Sequence, residues 1–117
     1  MQSWNKHNPE EAIGSLEDLY GGKLDLEQRI ATIRHLDQFF PCSDITAAPQ
    51  ISSIRERLID LSDLRFLSQD QNLSFQDYLD INCVTGLCIL KDGIKVYENY
   101  FHGNQGNTPW CAFSVTK

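Results

Sequence analysis

The sequence predicts an α+β fold, and three observations carry that expectation. Apolar residues recur every three or four positions through 24–40, a capped helix start stands at Ser74, and two extended apolar runs meet at Asp92-Gly93. The order is helices, one antiparallel β-hairpin, then the start of another helix. That order fits α+β, or α/β with an antiparallel sheet. With 117 residues and 13.4 kDa, the chain has room for one small domain.

Residues 1–22 read as an N-terminal arm, and 23–117 as the domain that follows. Pro9, Gly14 and Gly21-Gly22 interrupt the arm, and a short helix with Pro9 in its first turn is expected over "PEEAIGSLEDLY". In "LDLEQRIATIRHLDQFF", Leu26, Ile30, Ile33, Leu36 and Phe40 form the apolar stripe of a helix. Asp25 is its N-cap, Gln28 stands three residues on, and Pro41 ends it. His35 lies within this helix as a solvated or hydrogen-bonded side chain.

"PCSDITAAPQ" is connector, and "SSIRERLIDLSDLRFL" reads as either helix or extended chain, with Arg55, Glu56 and Arg57 on a solvated face. Ser74 and Asp77 form a capping pair that opens a short helix. "TGLCILKDGIKVYENYF" is a hairpin, because both residues of an Asp-Gly turn take positive φ. Its first strand, "GLCIL", is apolar on both faces and is expected to be central. Its second strand alternates and is expected to have one wetter face. An isolated hairpin is marginally stable in water, so another element is expected to cover "GLCIL". "HGNQGNTP" is loop by composition.

Composition excludes several functions. Apolar residues make up 41% and charged residues 22%, which is ordinary globular usage. A formal charge of -6 and a pI near 4.8, with no Lys/Arg cluster, oppose contact with nucleic acid or anionic membrane. No secretory signal or membrane span is visible, which implies a cytoplasmic protein. Cys42, Cys83, Cys88 and Cys111 match neither a zinc spacing nor a disulfide framework, so they are expected as reduced, mostly buried thiols. No cofactor or metal is implied.

The chemistry concentrates in "PWCAFSVTK". Ser114 and Lys117 form Ser-x-x-Lys, the arrangement with which one large group of hydrolases arms its serine. A serine must lose its proton to attack, and a lysine three residues on along a helix lies on the same face. Burial lowers a lysine pKa and lets it serve as the base. Ser3-Trp4-Asn5-Lys6 repeats the spacing in the arm, without an aromatic approach to bury its lysine.

Residues 85–104, "TGLCILKDGIKVYENYFHGN", followed by "TPWCAFSVTK", resemble the N-terminal part of serine hydrolases of the β-lactamase/penicillin-binding-protein-like family. The nearest branch is that of class C β-lactamases and 6-aminohexanoate-dimer hydrolase. The likeness is looser over "RHLDQFFPCSDI" and "LSFQDYLD". It implies an incomplete serine β-lactamase-like α/β sandwich, with Ser114 the acylated nucleophile, Lys117 its activating partner and the Ser114 N–H one oxyanion donor. The implied substrates are small amides, esters or lactams.

The family's tyrosine base and Lys-Thr-Gly-like strand follow Ser-x-x-Lys, so the chain is expected to be an inactive N-terminal fragment. Tyr97-Glu98-Asn99, Lys91-Asp92-Gly93 and Thr85-Gly86 imitate family motifs, but the hairpin accounts for each of them. The alternative reading is a small non-catalytic binding or interaction domain with an accidental or vestigial Ser-x-x-Lys.

Overall fold

A computed structural model describes residues 11–117. Its helices are α1 (Leu16–Tyr20), α2 (Leu26–Arg34) and α3 (Phe75–Ile81), and its strands are β1 (Arg65–Ser68), β2 (Gln71–Ser74), β3 (Gly86–Lys91) and β4 (Ile94–Tyr100). Short 3₁₀ turns lie at Leu36–Gln38 and Phe113–Thr116. Helix and strand are thus mixed, with two small antiparallel sheets, as an α+β chain requires. The described chain divides into two compact units, one of residues 11–47 and 107–117, the other of residues 48–106.

In the first unit, α1 is shorter than the helix expected over 9–20. It starts after Ser15, whose hydroxyl accepts the Asp18 N–H at 3.1 Å. Pro9 lies outside the described residues. α2 begins as expected, with the Asp25 carboxylate accepting the Gln28 N–H at 2.8 Å. It ends earlier than expected, at Arg34, and the chain tightens into the 3₁₀ turn before Pro41.

The buried face of α2 keeps only part of the predicted stripe: Ile30 is buried and Ile33 and Leu36 are half-buried. Leu26 and Phe40 are exposed, while Ile30, Ala31, Thr32 and Arg34 are buried together with His35, which follows the helix. The reason is polar. The Thr32 hydroxyl accepts the Gly14 N–H at 2.8 Å and donates to the Gln28 carbonyl at 2.6 Å. Arg34 Nη1 donates to Glu11 Oε1 at 2.7 Å, and His35 Nε2–H donates to Glu11 Oε2 at 2.6 Å. Segment 11–14 is thereby fastened along the polar side of the helix, and that side becomes the interior.

In the second unit, α3 has the predicted cap in full. The Ser74 hydroxyl accepts the Asp77 N–H at 3.0 Å, and the Asp77 carboxylate accepts the Ser74 N–H at 2.7 Å. Leu79 is its buried side chain. The β3–β4 hairpin turns at Asp92 (φ 52°) and Gly93 (φ 75°), between partners Lys91 and Ile94. Residues 65–74 form a further hairpin, which the sequence reading did not identify. It turns at Gln69 (φ 49°) and Asp70 (φ 63°), a two-residue connection without glycine.

The expected order of burial in the main hairpin is reversed. β3 is an edge strand with Cys88 and Leu90 exposed, whereas β4 is half-buried along almost its whole length. β4 has a partner on its other side. Extended residues 55–59 run parallel to it, with Lys95 N–H donating to the Arg55 carbonyl at 2.8 Å and Arg57 N–H donating to the Lys95 carbonyl at 2.9 Å. The weakly patterned segment 52–67 is therefore extended around its Arg-Glu-Arg. Glu56 is bound rather than merely solvated, since its carboxylate lies 2.6 Å from Lys95 Nζ.

Lys95 also donates to Glu98 across the strand face, and the Tyr100 hydroxyl donates to Glu98 Oε1 at 2.5 Å. The Glu56 and Glu98 carboxylates hold the Lys95 ammonium above its ordinary pKa range. Lys95 first, then Tyr100, holds Glu98 below its ordinary range.

All four cysteines are free. Cys42, Cys83 and Cys88 are exposed and Cys111 is partly so, which corrects the expectation of mostly buried thiols. The apolar core that would have enclosed them is small. Among the described residues, the buried hydrophobic side chains are Leu24, Ile30, Ala31 and Leu79. Among the described residues, no helix is long and apolar enough to cross a membrane.

Three outcomes are expected. Ser74→Ala removes the capping box and should lower unfolding free energy by about 1 kcal/mol, read from the urea midpoint. Thr32→Val keeps the side-chain shape but strands the Gly14 N–H and should cost about 1–3 kcal/mol in the same assay. The stabilisation from Glu98 and Asp77, both held below their ordinary values, is full above the carboxylate range and is lost as pH falls through the lowered values. Lys95→Met removes the main cause for Glu98, so its acid unfolding, followed by circular dichroism, should begin at higher pH than in the native chain.

Candidate active site around Ser114

Ser114 sits in the four-residue 3₁₀ turn Phe113–Thr116 of the first unit, and Lys117 is its C-cap. Backbone bonds close the turn: Val115 N–H donates to the Ala112 carbonyl at 3.0 Å and Lys117 N–H to the Ser114 carbonyl at 3.2 Å. With three residues per turn, side chains at i and i+3 eclipse, so Ser114 and Lys117 share one side of the turn. The Ser114 N–H lies in the opening turn, where backbone donors have no intrahelical acceptor.

Sharing a side does not amount to a pair. Ser114 and Lys117 are both exposed, and no hydrogen bond joins their side chains. The burial that would tune a lysine for general-base work is therefore lacking at Lys117 in this structure. Phe113, next to the serine, has φ 44°, a left-handed conformation that costs an L-residue roughly 1–2 kcal/mol. No side-chain cap supports the start of the turn.

The aromatic approach is better organised than the serine. Pro109, Trp110 and Cys111 line a cavity of about 310 Å³ with Ile33 and Leu36 from the end of α2 and its following turn. The segment is nevertheless largely at the surface, since Pro109, Trp110 and Phe113 are exposed and Cys111 is half-buried. The aromatic approach therefore does not enclose the serine as the sequence led one to expect, and "AFSVTK" likewise lies on the surface.

The competing motifs occupy structural positions. Tyr97 and Asn99 are in β4, Lys91-Asp92-Gly93 makes the hairpin turn, and the Thr85 carbonyl accepts the Phe101 N–H at 2.9 Å. Ser3 and Lys6 lie outside the described residues. His35, weighed as solvated or hydrogen-bonded, is fully buried and bonded to Glu11. Both Glu11 oxygens are engaged by α2-side cations or donors, which suits a structural clasp.

The sequence reading missed a second concave region, in the second unit. Phe75, Tyr97 and Phe101 line a cleft of about 360 Å³ with Asp60, Leu79 and Asn99. A signal was available, because Tyr97 and Asn99 are two residues apart on a strand and share a face. Among the described residues, no group of three or more His, Cys, Asp or Glu side chains is placed to hold a metal ion. No protein-family model and no curated protein matches this chain.

Proposed function

We propose that the chain carries the nucleophile segment of a serine hydrolase of the β-lactamase/penicillin-binding-protein-like type, acting by acyl transfer on an amide, ester or lactam. The observation that supports this reading is the position of Ser114 within one short turn and of Lys117 at its end, directly after the cavity-lining segment 109–111. Ser114 is the nucleophile, Lys117 takes its proton, and the Ser114 N–H donates to the developing oxyanion. The reading further requires a tyrosine base and a second oxyanion donor on a strand. The chemistry also requires the turn to be buried, because an exposed ammonium retains its proton.

A non-catalytic binding domain is the second reading. It is favoured by the exposure of Ser114 and Lys117 and by the concave region formed away from them in sequence.

Fluorophosphonate labelling, with the modified peptide identified by mass spectrometry, separates the two. The 117-residue chain should label at Ser114 no faster than an exposed serine. A product in which the reading frame is extended past Lys117 into a strand and tyrosine of the required kind should label stoichiometrically, and Ser114→Ala should abolish that labelling while the melting transition persists. A folded extended product that ignores the probe would eliminate the hydrolase reading.

A further inference from the structure

We propose that the cleft lined by Phe75, Tyr97 and Phe101 binds a small organic cation of the alkylammonium type, with Asp60 as its counter-charge. The inference uses no residue of the Ser114 turn and stands or falls separately from the hydrolase reading.

The cleft volume of about 360 Å³ lies within the roughly 300–1,000 Å³ typical of small-molecule sites. Phe75 and Tyr97 meet edge to face, with centroids 5.3 Å apart and planes at 87°. Both rings line the cleft, Phe75 also stacks against Tyr78 with centroids 6.4 Å apart, and Phe101 adds a third aromatic side chain to the lining. All three are half-buried, so they are neither consumed in a core nor free on the surface. Aromatic faces are electron-rich, and a cation within about 6 Å of a ring centroid is attracted to them.

Charge selects the sign of the ligand. Among the residues lining the cleft, Asp60 alone carries a formal charge at neutral pH. Its carboxylate is fixed by the Ser62 N–H, which donates to Oδ1 at 2.9 Å. That bond and the Ser62 hydroxyl hold the group below its ordinary pKa. No lysine, arginine or histidine lines the cleft, so an anion would find no counter-charge there. A cation with an apolar shell satisfies the rings and the carboxylate together. The cavity in the first unit lacks this selectivity, because its wall mixes Arg34 with Asp37 and Asp44.

The test compares choline with its uncharged isostere, 3,3-dimethylbutan-1-ol, by calorimetry and ¹H–¹⁵N NMR on the 117-residue chain. Choline should bind about tenfold more tightly than the alcohol, as cation–π attraction plus one counter-charge predicts. Amide shifts should cluster at 60–62, 75–79 and 97–101. Asp60→Asn should weaken choline binding about three- to tenfold and leave alcohol binding unchanged. Tyr97→Leu should remove most of the preference for the cation. Equal affinity for the two ligands in the native chain, or no shifts at tens of millimolar choline, would overturn the proposal whatever the variants do.

Discussion

Lys95 is the residue on which the second unit depends. Its backbone is held by Arg55 and Arg57 on one side of β4, while its ammonium reaches Glu56 on that neighbouring segment and Glu98 on its own strand. Two carboxylates brought together without a cation would repel. The lysine makes their proximity favourable and in doing so places residues 55–59 beside the hairpin. Once that segment is in place, β4 is the interior strand and β3 the edge. The shielding of Tyr97 and the exposure of Leu90 follow from that order.

A comparable polar constraint organises the first unit. Glu11 receives donors from Arg34 and His35, and Thr32 bridges Gly14 to the helix backbone. Buried polar groups are costly when unpaired, so such contacts specify one arrangement more sharply than apolar contacts do. Within each unit, a charged or polar residue joins segments distant in sequence, and among the described residues only a few hydrophobic side chains lie fully inside.

This division explains what was legible in the sequence. Features set by neighbouring residues could be read directly: the Asp25 cap, the Ser74–Asp77 capping box and the Asp92-Gly93 turn each need only a few positions. Features set by distant partners could not. The α2 stripe pointed to Leu26, Ile30, Ile33, Leu36 and Phe40, of which Ile30 is buried. But Glu11 and Gly14 also draw the polar Thr32, Arg34 and His35 inward, and Leu26 and Phe40 stay exposed. "GLCIL" has the composition of a central strand, yet its rank depends on where 55–59 lies, and Arg-Glu-Arg carries no periodic signal for that. The Gln69-Asp70 turn was hidden because glutamine rarely takes positive φ, so its hairpin had no Asn-Gly or Asp-Gly mark. Ser114 and Lys117 were legible as a spacing, while their surroundings were not.

The same contrast bears on where function resides. Ser-x-x-Lys is a sequence signature whose chemistry depends on enclosure, and the turn that carries it is exposed and begins with a left-handed phenylalanine. The cleft in the second unit has the opposite character. Its residues form no familiar motif, but α3, β4 and the Asp60 loop line it and give it one carboxylate held by the Ser62 N–H. Tyr97 and Asn99 belong to a triplet that imitates a catalytic motif in sequence, and the pleat of β4 turns both into this cleft instead. A hydrolase motif becomes an active site only when its turn is covered, whereas an aromatic corner with a fixed carboxylate can already select a ligand by charge.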